Sequence, residues 1–527
     1  VELARLIAHL SDSAAYPRAG HAEVEVIQTH ASAVFLVGDD VYKVKKPVDF
    51  GFLDYSTLDK RRTFCEAEVR LNRRLAPSVY LGVVPIVEEA GGLRVDAAGT
   101  PVEWAVHMRR LPEEATLRAW LARGALNVEQ VRALAARIAR FHADAARGPE
   151  IAPFGRFEVV AGNCRENFEQ IEPRVGESVS AQVFARLRDA TERELADRRG
   201  LIEARAARGM PCDTHGDLRT DHVYLFPERE PPEDLCIVDC IEFNERFRYA
   251  DPVTDIAFLV MDLHAHGAWA LARELVEAYF DAADDDEGRA LMPLYLAYRA
   301  TVRGKVDAMR AAEAEVPARE REKALQSARG HLLLALRELS PRAQRPAVVL
   351  VGGLPGTGKS VLSRELSARG FSWVRSDVVR KELAGLAPTE SGTAAFGTGI
   401  YTREWSDRTY AECLARTEAA LFRGERVVVD ATFITKERRA PFWEAARRWC
   451  VPVELLLCDA PPELVKARLD ARTGDPSDAD WNIHQRARER FEAPGADEGP
   501  STQINASGTP ASMIAQAERA LAEAHVL

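Results

Sequence analysis

Val348-Val-Leu-Val-Gly-Gly-Leu-Pro-Gly-Thr-Gly-Lys-Ser360 sets a glycine-rich turn directly behind an apolar run, about two thirds of the way along a chain of 527 residues. Gly353 to Ser360 has the spacing of a phosphate loop: glycine, four residues, glycine, lysine, serine. The run Ala347–Val351 predicts a short buried parallel strand, and Val361–Arg369 predicts the helix that follows it. In such a strand–loop–helix, Gly353, Gly356, Thr357 and Gly358 turn backbone N–H groups inward around phosphate oxygens, and the helix N-terminus adds partial positive charge. Lys359 is then expected on the β- and γ-phosphates and the Ser360 hydroxyl on Mg²⁺. That leaves more than three hundred preceding residues to account for.

A chain of this length is expected to form two to four domains. Hydrophobic residues make up 46% and charged residues 29% of it, the proportions of an ordinary globular protein. No run of about 18 uncharged apolar residues predicts a membrane-spanning helix. The opening VELARLIAHLSDS does not have the basic start and apolar core of a signal peptide. The eight cysteines are scattered without zinc-ligand spacing, which is the pattern of reduced thiols in a cytoplasm. Net charge is −11, and residues from Pro341 onward carry 25 basic and 25 acidic side chains, so the acidic excess lies entirely before them. An acidic first part argues against a broad nucleic-acid surface there. Between a helical pattern at Arg319–Leu339 and the phosphate-loop strand lies Ser340-Pro-Arg-Ala-Gln-Arg-Pro346, whose polar, proline-bracketed composition marks a domain junction. The expected domains are 1–340 and 341–527.

In the first part, Val24–His30 and Val34–Val37 read as a hairpin, and Val41–Val44 as the next strand. Leu58–Leu75 has helical spacing; Val83–Val87 and Val102–Met108 are further strands. From Val128 to Leu339 the pattern is mostly helical, interrupted around residues 211–256. That interruption reads Cys212-Asp-Thr-His-Gly-Asp-Leu-Arg-Thr-Asp-His222, then Cys236-Ile-Val-Asp239, then Asp251-Pro-Val-Thr-Asp255. His-Gly-Asp before one strand and Ile-Val-Asp on another resembles the aminoglycoside phosphotransferase family, which has a protein-kinase-like fold. The resemblance implies a small lobe at about 20–112 and a helical large lobe at about 113–340. It makes Asp217 the acceptor of the attacking hydroxyl's proton and Asp239 a metal ligand, with Asp251 and Asp255 as braces of the loop. His222 takes the place of that family's metal-binding asparagine, and imidazole favours softer ions than Mg²⁺. Lys43 sits where the strand lysine reaches the α- and β-phosphates, with Lys45 on the same strand face as its alternative. Glu68 is favoured over Glu66 as the partner of that lysine, and Trp104–Arg109 is placed at the adenine hinge.

After the phosphate loop the chain alternates. Phe371–Asp377 is a strand ending in Ser376-Asp377, followed by a helix; Ser406–Phe422 is a helix; Val427–Phe433 and Val453–Cys458 are strands; Pro462–Arg472 is a helix. Such alternation builds a parallel sheet with ligands at its carboxyl ends. The order resembles the polynucleotide-kinase, gluconate-kinase and zeta-toxin branch of phosphate-loop kinases, over about 346–527. By that resemblance Asp377 is the general base, Arg380 grips an anionic acceptor, and Asp430 orders Mg²⁺. Arg468 and Arg472 lead into a polar lid, Thr473–Ala479, and meet the transferring phosphate.

Together these readings predict an α+β, bilobal kinase-like domain followed by an α/β, parallel-sheet phosphate-loop kinase domain. They resemble bacterial fusions of the two types and imply a cytoplasmic, bifunctional transferase using ATP and Mg²⁺ on hydroxyl acceptors. A small molecule is the favoured acceptor, and a 5′-hydroxyl nucleic-acid end is open but less favoured. The alternative is a phosphate-loop kinase controlled by a nucleotide-sensing pseudokinase.

Overall fold

Six antiparallel strands form the first sheet, in the order β1-β2-β3-β6-β4-β5: Val24–Gln28 (β1), Ser32–Val37 (β2), Asp40–Lys45 (β3), Tyr80–Glu89 (β4), Gly92–Val95 (β5) and Pro101–Arg109 (β6). This is a computed structural model describing residues 2–17, 23–89, 91–387, 390, 400, 402–471, 476–495 and 498–527. Alternation decides what each face of the sheet carries. Ala33, Phe35, Tyr42, Val44 and Ile86 join Leu6 and Leu10 of an N-terminal helix in one core. Lys43 and Lys45 therefore point to the opposite face, where Val106 and Tyr80 pack against Cys65 and Val69 of the helix Leu58–Asn72. That helix begins at Thr57, whose hydroxyl accepts from the Lys60 N–H as an N-cap. A short antiparallel pair, Val223–Leu225 with Leu235–Ile237, frames the loop that carries Asp217 and delivers Asp239 just past its second strand.

The second sheet is parallel, in the order Ser372–Arg375, Val427–Asp430, Val348–Gly352, Val453–Asp459, Ser501–Asn505. Its central strand is buried at every residue, as a strand covered by helices on both faces must be. Val349, Val351, Leu456 and Ile504 pack against Leu362 and Leu366 of the helix Lys359–Ala368 and against Met513, Ile514 and Leu521 of the helix Pro510–Glu523.

Compactness divides the chain into Val1–Val160 with Arg199–Asp262 and Ala270–Met292, and Ala161–Arg198 with Leu263–Trp269 and Pro293–Leu527. Each is described separately below, as the N-terminal and the C-terminal unit. Ser340–Pro346 lies inside the C-terminal unit and is fastened there. Arg337 donates to the Pro346 carbonyl at 3.1 Å and Arg426 to the Ala343 carbonyl at 2.7 Å. All eight cysteines are buried and unpaired, and among the described residues no helix is long and apolar enough to cross a membrane.

Glu454, on the fourth strand of the parallel sheet, is 2% exposed, and burial pushes its carboxyl up to about 7. Its Oε1 accepts from the Thr502 hydroxyl at 2.8 Å. The folded state thus holds this proton more tightly than the unfolded chain, whose glutamates titrate near 4.5. The resulting stabilisation is complete below that value and is lost as pH rises through about 7. It is worth about 3 kcal/mol at most. Glu454→Gln should flatten thermal stability between pH 5 and 8, as followed by melting curves; an unchanged pH slope would remove Glu454 as its source.

Candidate active sites

In the N-terminal unit one fully buried carboxylate gathers two lysines. Glu68 Oε1 accepts from Lys43 Nζ at 2.8 Å and Oε2 from Lys45 Nζ at 2.7 Å. Lys43 Nζ reaches Asp239 Oδ1 at 3.2 Å, whereas Lys45 is 1% exposed and turns to Glu242 and to the Tyr55 hydroxyl at 3.3 Å. Of the two alternatives, Lys43 is the one joined to both Glu68 and Asp239. Glu66 is exposed and among the described residues pairs with Arg62 one turn away. Burial opposes the charges here, but Asp239 and Glu68 hold Lys43 protonated well above its usual range, and the two lysines hold Glu68 below its own. Lys43 likewise keeps the Asp239 carboxyl well below the usual carboxylate range.

The loop His215–His222 is shaped from beneath. Asp255, fully buried, accepts from the His215 N–H at 2.6 Å and the Gly216 N–H at 2.9 Å, and lies 3.2 Å from His142 Nε2. Asp262 accepts from the Thr220 N–H and hydroxyl at 2.8 and 2.6 Å. Asp251 acts at one remove, pairing with Arg205 at 2.7 and 3.0 Å. Burial lowers His215 to about 4, so its ring is neutral near pH 7. Asp217, His222 and Asp239 each bring one ligand atom within 4.8 Å of the others, a donor set able to take a dication. Arg219, which the sequence reading passed over, donates to both Asp217 oxygens at 3.0 and 3.3 Å. Its signal was its place two residues beyond Asp217.

The expected hinge needs adjustment. Trp104–Arg109 is a central strand whose backbone is paired with β3 on one side and β4 on the other. Its backbone groups are thus engaged within the sheet.

In the C-terminal unit, Gly353 has φ +133°, and a Cβ there would lie 2.4 Å from the Cys458 carbonyl oxygen; Gly356 has φ +84°. Glycine alone fits that turn. Lys359 opens the helix and folds its Nζ back to the Leu354 carbonyl at 2.9 Å. Ser360 donates to the buried Asp430, whose carboxyl is raised first by burial. Among the described residues Asp430 Oδ2 has no hydrogen-bond partner, and Arg375 Nε stands 3.8 Å from it. A buried carboxylate oxygen left open beside a phosphate-loop serine fits a hydrated dication.

Gly356, Lys359, Ser360, Arg375 and Asp430 line one cavity of about 1240 Å³, together with Asp377, Arg380 and Arg468. Asp377 lies in the first turn of the helix Ser376–Leu383; one turn on, Arg380 donates to the Ile400 carbonyl at 2.8 Å. Arg468 Nη2 donates to the Ala506 carbonyl at 2.7 Å, while its buried Nη1 has no hydrogen-bond partner among the described residues. Arg472 and residues 473–475 of the expected lid lie outside the described residues. The sequence reading also missed Arg486 and Arg490, which line the cavity from the helix Trp481–Glu489 and its end. The same helix rests on the phosphate loop through His484, whose Nδ1 is 2.8 Å from the Pro355 carbonyl. Nine of the described lining side chains are Lys or Arg and four are Asp or Glu, an environment suited to phosphate.

Comparison with known proteins finds a match for each of two parts of the chain. Residues 25–292 match the phosphotransferase enzyme family, and residues 348–494 match an AAA domain. Uncharacterized protein Rv2004c of Mycobacterium tuberculosis (strain ATCC 25618 / H37Rv) is 31% identical over 474 residues, covering 89% of this chain and 90% of that protein. A counterpart in Mycobacterium bovis, uncharacterized protein Mb2027c, matches with the same identity and coverage. Among solved structures, the GDP complex of aminoglycoside 2′-phosphotransferase-IIIa is 16% identical, covering 62% of this chain and 98% of that one at a TM-score of 0.39. With residues 25–292, just over half of its length, matching the phosphotransferase enzyme family and its phosphate loop set in a kinase-type domain, the chain belongs to that family and is a kinase.

Proposed function

We propose that the chain carries two separate ATP-dependent phosphotransfer sites, each moving the γ-phosphoryl group to a hydroxyl acceptor. The observation that carries this reading is the convergence of Lys43, Glu68 and Asp239 on one ion-pair chain beside Asp217. A phosphate-loop kinase has no use for that set. In the N-terminal unit Lys43, oriented by Glu68, binds the α- and β-phosphates, and Asp217 accepts the proton of the attacking hydroxyl. Asp239 and His222 would hold the metal. In the C-terminal unit the loop amides of Gly353, Gly356, Thr357 and Gly358 with Lys359 bind the phosphates, and Ser360 and Asp430 would hold Mg²⁺. Asp377 accepts the acceptor's proton, Arg380 orients the acceptor, and Arg468 and Arg472 neutralise charge on the moving phosphoryl group. A bound Mg²⁺ supplies charge neutralisation of the phosphate oxygens in both sites. A small alcohol is the favoured acceptor, and a 5′-hydroxyl nucleic-acid end is the second class to test.

Calorimetry with a non-hydrolysable ATP analogue should count two nucleotides per chain, and one in Lys359→Ala. A single nucleotide in the unaltered protein would defeat the two-site reading. Transfer from labelled ATP, screened over alcohols and 5′-hydroxyl oligonucleotides, separates catalysis from sensing. Two nucleotides bound with transfer at the C-terminal site alone would favour a regulatory N-terminal unit, a reading supported by the engagement of Asp217 with Arg219.

Asp377→Asn should slow transfer at the C-terminal site by about 10²–10⁴-fold, the usual contribution of a general base. Nucleotide affinity should stay close to that of the unaltered chain, because Asp377 faces the acceptor. A loss of affinity as large as that of Lys359→Ala would place Asp377 on the nucleotide instead.

A further inference from the structure

We propose that His222 makes the metal position of the N-terminal site selective for a first-row transition-metal dication over Mg²⁺, with Nε2 as the ligand atom. The inference rests on the reading of that site as a nucleotide site. Two contacts fix the tautomer. His222 Nδ1 lies 2.7 Å from the Asp217 backbone carbonyl, which only accepts, so Nδ1 carries the proton. Nε2 lies 3.2 Å from Arg219 Nη2, and a guanidinium only donates, so Nε2 presents a lone pair. The two contacts are independent and agree.

That lone pair stands 3.6 Å from Asp239 Oδ2, in a side chain 11% exposed. Around it are the carboxylates of Asp217 and Asp239, so the donor set is one neutral nitrogen and two anionic oxygens. Mg²⁺ takes oxygen ligands and parts reluctantly with its water. An imidazole nitrogen adds little with it, but binds first-row dications increasingly well from Mn²⁺ to Cu²⁺, with Zn²⁺ somewhat below Cu²⁺. The carbonyl bond to Nδ1 is also the kind of outer contact that orients a ligating imidazole and raises its basicity. A dication taking Nε2 displaces the hydrogen bond from Arg219, so that guanidinium must release His222 when the metal enters.

Mn²⁺ is the probe, added to the full-length chain with a non-hydrolysable ATP analogue, with histidine labelled by ¹⁵N in a parallel sample. Pulsed electron paramagnetic resonance should show an imidazole nitrogen coupled to bound Mn²⁺, with the coupling changing on ¹⁵N labelling. The C-terminal cavity supplies no such signal, since no histidine is among its described lining residues. His222→Asn should abolish the coupling and lower the preference for Mn²⁺ over Mg²⁺ by about tenfold or more, the scale on which changes around a metal alter its affinity. If that variant fails to fold, His222→Gln takes its place. Absence of nitrogen coupling in the unaltered protein overturns the proposal, and so does selectivity unchanged in the variant. Asp239→Ala separates the two levels. If it leaves the number of bound Mn²⁺ ions unchanged, the metal does not enter this site, and the nucleotide-site reading fails along with the inference.

Discussion

Lys359→Ala is expected to reduce ATP turnover at the C-terminal site by about 10²–10³-fold, corresponding to about 2.7–4 kcal/mol of transition-state stabilisation. Lys359 is the first residue of its helix and its Nζ rests on the Leu354 carbonyl within the loop. In the proposed site it would exchange that carbonyl contact for phosphate oxygens. Loss of the charge leaves the backbone turn intact, because Gly353 and Gly356 set that turn. The variant should fold normally and still fail in turnover. Phosphate release from ATP measures this, in a chain that also carries Asp217→Asn so that the N-terminal site does not contribute. Turnover at the level of Asp217→Asn alone would take Lys359 out of the phosphate-binding role.

The second large effect is on stability. Glu68→Ala removes the shared carboxylate from two lysines that are partly or wholly out of water, and breaking a buried pair from one side costs about 3–5 kcal/mol. The low end is expected, since Lys43 retains Asp239 and Lys45 retains Glu242 and Tyr55. Glu66→Ala, two positions away, removes only a surface pair with Arg62 and should cost about 0–1 kcal/mol. Denaturant unfolding of the two variants side by side decides between the candidate partners. Equal losses would mean that Glu68 does not hold the lysines together. Glu68→Ala should also weaken nucleotide binding at the N-terminal site, because Lys43 loses the group that orients it.

The elements that were legible in the sequence are those that bury themselves completely or repeat a fixed spacing. Val348–Gly352 announces itself because every side chain is apolar, and Gly353–Ser360 because its backbone admits few alternatives. The pairing of Lys43 with Glu68 was also accessible, since alternation along β3 restricts which strand residues meet the helix Leu58–Asn72. Alternation could not separate Lys43 from Lys45, which share a face; the choice came from Asp239, a residue distant in sequence. Ser501–Asn505 escaped notice because an edge strand with only Ile504 buried carries no apolar run. The N-terminal helix Leu3–Leu10, which covers the first sheet, was read only for what it lacked as a targeting segment. Arg486 and Arg490 were missed for another reason. Cations in a helix look alike in sequence whether they face solvent or a cavity, and it is packing, including that of His484 on the phosphate loop, that settles which way this helix faces.

The grip of Asp255 on the backbone of His215 and Gly216 has a consequence for how such a site can change over time. Because main-chain amides at the start of the loop are anchored to a buried carboxylate, its path depends less on which side chains the loop displays. A histidine can then stand at position 222 without the loop having to find a new course, and the ligand chemistry is exchanged as a removable part. Selection acting on metal or acceptor choice can work through single substitutions at the rim, whereas a change at Asp255 disturbs every rim position at once. Tolerance to substitution in this site should therefore increase from its buried base toward its exposed edge.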